Sequence, residues 1–113
     1  MKRKVKATTP QILLAIHLRE LGIETVPEHK FVESRGFRFD LYSAKLRMAF
    51  ECNGGQYSGG HRRGKRIDDE NEKLNIAALL GVRVLQFTNE AILDGHAKQF
   101  VSDWLQISKE AKP

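Results

Sequence analysis

Phe37-Arg38-Phe39-Asp40-Leu41-Tyr42-Ser43-Ala44-Lys45-Leu46-Arg47-Met48-Ala49-Phe50-Glu51-Cys52 is the stretch on which the reading of this chain turns. Its first half alternates. Phe37, Phe39 and Leu41 fall on one side of an extended backbone, and Arg38, Asp40 and Tyr42 on the other. The second half repeats the pattern, with Leu46, Met48 and Phe50 opposite Arg47, Ala49 and Glu51. Ser43-Ala44-Lys45 is a short polar break, so the two runs predict antiparallel neighbours in a meander. In that arrangement Asp40 and Glu51 lie close together on one face. Ten residues separate them in sequence. Carboxylates in an apolar setting are costly unless they hold a cation or a partner.

Outward from this core the pattern changes period. Thr8-Thr9-Pro10 is a hydroxyl cap followed by proline, and Ile12, Leu13, Ile16 and Leu21 recur at helical spacing, predicting a helix over 10–21 ended by Gly22. Val26 to Val32 reads as a strand held to a sheet edge by Pro27. Residues 53–66 are rich in glycine and basic residues and read as a loop. Asp68 or Asp69 then caps a helix lined by Ile67, Leu74, Ala77 and Ala78, with Asp69 and Lys73 as an i,i+4 pair, and Gly81 stops it. Val82 to Phe87 is apolar on both sides and predicts a central strand. A short capped helix follows at Thr88 to Leu93, a break at Asp94-Gly95, and a last amphipathic helix on which Phe100 and Trp104 read as core. The expected order is αβββαβα, an α/β fold with a mixed sheet flanked by helices. It forms one domain over residues 1–113, with a basic tail at 1–7 and fraying over 106–113.

Composition narrows the function. The chain has 113 residues, the size of one domain, and 41% hydrophobic content supports one core. A formal charge of +5 with a pI near 9.6 suits a polyanionic partner. The single cysteine, Cys52, excludes an internal disulfide and a cysteine-rich zinc module. No apolar run spans a bilayer, no secretory h-region follows the basic start, and no P-loop motif is present, so a membrane role is not expected. The expected location is intracellular, in a bacterial or phage-infected host cytoplasm.

Two carboxylates followed by Gly54-Gly55, Gly59-Gly60 and His61-Arg62-Arg63-Gly64-Lys65-Arg66 suggest that a polyanion is brought to a cation. Read functionally, Asp40 and Glu51 share Mg²⁺ or Mn²⁺, with the Cys52 backbone carbonyl as a third ligand. Read structurally, both are edge-strand acids paired to Arg38 and Arg47. Arg62, Arg63, Lys65 and Arg66 are phosphate contacts or a solvated charged loop. His61 is a proton donor, a phosphate contact or a surface histidine. His17 and His29 match no compact ligand spacing, which argues against zinc.

Several segments taken together resemble the PD-(D/E)XK nuclease superfamily. They are Phe37-Arg38-Phe39-Asp40, Ala49-Phe50-Glu51-Cys52-Asn53-Gly54-Gly55, Gly59-Gly60-His61-Arg62-Arg63-Gly64, Glu72-Lys73-Leu74-Asn75 and Gly81-Val82-Arg83-Val84-Leu85-Gln86-Phe87-Thr88. Within that superfamily the chain is similar to small, often phage-encoded endonucleases akin to very-short-patch-repair-like enzymes and Holliday-junction resolvases. The resemblance covers residues 10–93 and implies a restriction-endonuclease-like core. It implies that Asp40 and Glu51 are the metal carboxylates of a Mg²⁺-dependent DNA endonuclease. It places Asn53 where relatives usually carry lysine, with Lys65, Lys73 or His61 as sources of the missing charge. Where many relatives carry an acid on the first helix, the matching face here offers Gln11, with Glu20 near the helix end and Glu28 on the first strand. Arg35, Arg38, Arg62, Arg63, Lys65, Arg66 and Lys73 are the candidate DNA contacts. A homodimer would supply two sites for duplex or junction cleavage. The rival readings are a non-catalytic DNA-binding module derived from a degenerate nuclease, and a small subunit whose basic face docks an acidic protein.

Overall fold

A computed structural model describes residues 8–53 and 63–108, with side chains from 8–53 and 67–108. The order is α1 (Thr9–Glu20), β1 (Val26–Val32), β2 (Phe37–Ser43), β3 (Met48–Asn53), α2 (Arg63–Leu79), β4 (Arg83–Thr88), α3 (Asn89–Leu93) and α4 (His96–Ile107). The strands form one mixed sheet in the order β1-β2-β3-β4. β1–β2 and β2–β3 pair antiparallel, as short connections require, while α2 carries the chain across so that β4 lies parallel to β3. The expected α/β class with helices on a mixed sheet is what the chain adopts.

Each sheet face has its own core. On one side Leu41, Met48 and Phe50 pack under α1, α3 and α4 against Leu14, Leu18, Ile92, Ala97 and Val101. On the other, Phe39, Ala49 and Val82 pack with Ala77 of α2, joined by Phe31, Tyr42 and Val84. Phe50 and Ala49 are neighbours in β3 yet both fully buried, because each side of that strand is covered.

Local signals explain the element ends. Thr8 caps α1 by accepting from the Gln11 amide, and Thr88 caps α3 by accepting from Ala91. α1 closes where Gly22, at φ 87°, turns left-handed and the Ile23 amide reaches back to the Leu18 carbonyl at 2.8 Å. Gly95, at φ 90°, makes the break between α3 and α4.

Several expectations are corrected. β4 pairs with β3 and with no further strand among the described residues, so it is an edge rather than a central strand. Its two-sided apolarity reflects helices over both faces, not neighbours on both edges. α1 buries Gln11, Leu14 and Leu18, leaving Ile12 and Ile16 exposed. Both sets have helical spacing, and the docking angle on the sheet selects between them. α2 begins at Arg63, before either aspartate, so Arg63 to Arg66 are helical and not loop. Phe100 is 53% exposed and meets Phe87 edge-on, whereas Trp104, half-buried beneath Arg83, does pack against the core as expected. α4 runs through Ile107, past the expected fraying at 106. The basic tail at 1–7 and residues 109–113 lie outside the described residues. No described helix is long and apolar enough to cross a membrane.

Candidate active site

The alternation expected along Phe37 to Tyr42 breaks at Asp40. Phe39 belongs to the core under α2, whereas Leu41 belongs to the core on the opposite side. Two residues apart in an uninterrupted strand, they would share a face. The partner strand breaks at the same level. Pro27 pairs with Leu41 and His29 with Phe39, while Glu28 between them has a left-handed backbone, φ 51°.

The β2–β3 ladder also changes character here. Backbone pairing holds for Leu41–Phe50, Tyr42–Ala49 and Ser43–Met48. Beyond it the two acids take over. The Asp40 amide donates to Glu51 Oε2 at 2.9 Å, and the Cys52 amide donates to Asp40 Oδ2 at 2.7 Å. Each carboxylate thus satisfies a backbone donor of the other strand, and the pair fills the fork between them. The expectation that Asp40 and Glu51 meet is realised by this local reordering rather than by simple alternation.

Glu51 is buried, and Lys73 of α2 reaches it, Nζ to Oε1 at 2.5 Å, with side-chain exposures of 14% and 7%. Burial pushes the Glu51 carboxyl above its ordinary value. The Lys73 ammonium, the hydrogen bond from it and the Asp40 amide oppose that rise. Lys73 therefore sits on Glu51 and not on Asp69. Its place follows from helical spacing, since Lys73 lies one turn before the sheet-facing Ala77.

A second layer lies under Asp40. Gln11 Nε2 donates to Glu28 Oε2 and to the Asp40 carbonyl, both at 3.0 Å, and Glu28 faces Arg38 at 3.8 Å. In the sequence Gln11 and Glu28 stand 17 residues apart on different elements. The signal was Gln11's register with Leu14 and Leu18 on the buried face of α1. Beside Glu51, Asn53 donates to Gln86 Oε1 at 2.7 Å.

The other candidates are scattered. Arg38 pairs with Glu28, and Arg47 donates to the Leu80 carbonyl, so neither neutralises Asp40 or Glu51. Arg35 grips Glu72 of α2 through two contacts at 2.6 and 2.8 Å. Arg63, Lys65 and Arg66 lie in the first turn of α2, while His61 and Arg62 fall outside the described residues. His29 stacks on Tyr42, with centroids 4.5 Å apart, and away from any ligand cluster. The Cys52 thiol is pushed up to about 12 by burial and then by Asp40, Glu51 and Glu28, which makes it a poor nucleophile.

The donor set suits a hard cation. Asp40, Glu51 and the Cys52 carbonyl offer only oxygen, and Mg²⁺ needs one or two carboxylates with substrate and water completing its shell. Both carboxylates keep lone pairs beyond the bonds described. Among the described residues no group of three or more His, Cys, Asp or Glu side chains is placed to hold a metal ion.

The chain matches no protein-family model, and no curated protein is similar to it in sequence. Its structure, however, is similar to that of the homing endonuclease I-Bth0305I catalytic domain, with a TM-score of 0.65 and 27% identity over 88% of this chain and 96% of that one. The carboxylate fork therefore sits on a nuclease-like core.

Proposed function

We propose that this protein is a metal-dependent DNA endonuclease of the PD-(D/E)XK type, in which Asp40 and Glu51 form the catalytic fork. One observation carries the reading: two carboxylates and a largely shielded lysine converge where β2 and β3 part. Similarity to a homing endonuclease catalytic domain supports DNA as substrate, and the charge of +5 supports a phosphate backbone.

In this reading Asp40, Glu51 and the Cys52 carbonyl hold Mg²⁺ or Mn²⁺. When bound, such an ion polarises the scissile phosphate and lowers the pKa of a coordinated water. The protein's own task is to aim both acids. The Cys52 amide aims Asp40, the Asp40 amide aims Glu51, and Lys73 opposes the rise that burial imposes on the Glu51 carboxyl. Lys73 thereby supplies from α2 the positive charge that Asn53 lacks on β3. That supply is what the catalytic reading needs at this position and what the reading as a degenerate DNA-binding module leaves without a role. Arg62, Arg63, Lys65 and Arg66 are the proposed phosphate contacts. A homodimer acting on junction or repair intermediates belongs to the same proposal.

The test is a panel of duplex, nicked, flapped, mismatched and four-way-junction DNA incubated with the protein in Mg²⁺, Mn²⁺ or EDTA. Cleavage in the metal lanes alone is expected. Salt-sensitive binding without cleavage on every substrate would instead support the DNA-binding module.

A further inference from the structure

Gln11 is a polar side chain placed where a core residue belongs. It is 5% exposed and shares the buried stripe of α1 with Leu14 and Leu18. Burying an amide costs free energy unless its hydrogens are used. Both bonds come from one nitrogen, which carries two hydrogens. One reaches Glu28 Oε2 and the other the Asp40 carbonyl. The two acceptors lie on different strands, at the level where both depart from regular pairing. Glu28 is left-handed there, and the side-chain alternation of β2 inverts. A left-handed backbone at a non-glycine residue costs about 1–3 kcal/mol and persists only when its surroundings hold it.

We propose that Gln11 is a positioning residue for phosphodiester hydrolysis: it ties Glu28 and the Asp40 carbonyl together and so fixes the irregular backbone that turns the Asp40 carboxylate onto the Cys52 amide. This rests on the nuclease reading of the fork. The Gln11 side chain donates to Glu28 and to the Asp40 main chain rather than to either carboxylate of the fork. It acts through the backbone of Asp40, whose amide in turn aims Glu51. A carboxylate in place of Gln11 could not donate these bonds and would face Glu28 with like charge.

The experiment compares the parent with Gln11→Met, which keeps the length but removes the donor, and Gln11→Glu, which keeps the shape but reverses the hydrogen bonding. Cleavage kinetics are measured on the best substrate of the panel. The Cys52 backbone amide, which reports its bond to Asp40, is followed by proton–nitrogen NMR. The expected result is a kcat lower by about 10- to 100-fold, the range for loss of an outer positioning bond, in both variants. KM should stay within about twofold, and the Cys52 amide resonance should move. A kcat equal to the parent's in both variants would overturn the inference while leaving the nuclease reading intact. So would a fall in kcat with the Cys52 amide unmoved. A parent that cuts no DNA while the Cys52 amide moves would remove the nuclease reading and, with it, the catalytic part of this one.

Discussion

Replacing Lys73 by methionine isolates the electrostatics of the fork. The parent pair has its nitrogen 2.5 Å from a carboxylate oxygen and is largely shielded from water. With charge centres roughly 4 Å apart, the Coulomb energy is about 4 kcal/mol at an effective dielectric near 20. Removing one partner of a buried pair typically costs about 3–5 kcal/mol. Glu51 can avoid part of that cost by taking up a proton, so the loss must depend on pH. The Glu51 carboxyl is already raised by burial, and removing Lys73 raises it further. The native variant then binds a proton that the unfolded chain, with an ordinary carboxyl, releases. Its stability should fall with rising pH, by at most about 1.4 kcal/mol per unit, from the ordinary carboxyl value until Glu51 titrates. Urea unfolding followed by Trp104 fluorescence should therefore show Lys73→Met about 3 kcal/mol less stable than the parent at pH 8. The two should lie much closer at pH 5. The Lys73→Met/Glu51→Gln double variant should recover most of the loss at pH 8. A gap that is the same at both pH values, or no recovery in the double variant, would refute the ion pair as described.

Three further outcomes follow from the structure. With its pKa near 12, Cys52 should be alkylated by iodoacetamide at pH 8 at least about 100-fold more slowly than a free thiol. Cys52→Ser should still cleave, because only the backbone amide and carbonyl of that residue are enlisted. Phe50→Ala should cost about 3–5 kcal/mol in urea unfolding, since the ring is fully buried beneath α1, α3 and α4.

The sequence carried the element order because hydrophobic period changes cleanly from 3.6 to 2 along this chain, and Thr8, Gly22, Thr88 and Gly95 punctuate it with recognisable chemistry. Bringing Asp40 near Glu51 was legible for the same reason. The manner of their meeting was not. Nothing in Phe39-Asp40-Leu41 announces an inversion of facing, because that inversion answers a left-handed Glu28 on another strand. Lys73 read as a surface partner of Asp69 because i,i+4 spacing is local, whereas its reach to Glu51 depends on how α2 crosses the sheet. β4 read as central because covering helices and flanking strands leave the same apolar signature. Gln11 is instructive in a different way. Its position on the Leu14–Leu18 stripe was visible, but a lone amide on an apolar face acquires meaning only when its acceptors are known.

The central claim is that the Asp40–Glu51 fork performs metal-dependent phosphodiester hydrolysis. Its most direct test is side-by-side cleavage by the parent and Asp40→Ala proteins in Mg²⁺, with DNA binding measured on the same preparations. Loss of cleavage with binding largely retained is the predicted result; cleavage by Asp40→Ala at the parent's rate would contradict the account.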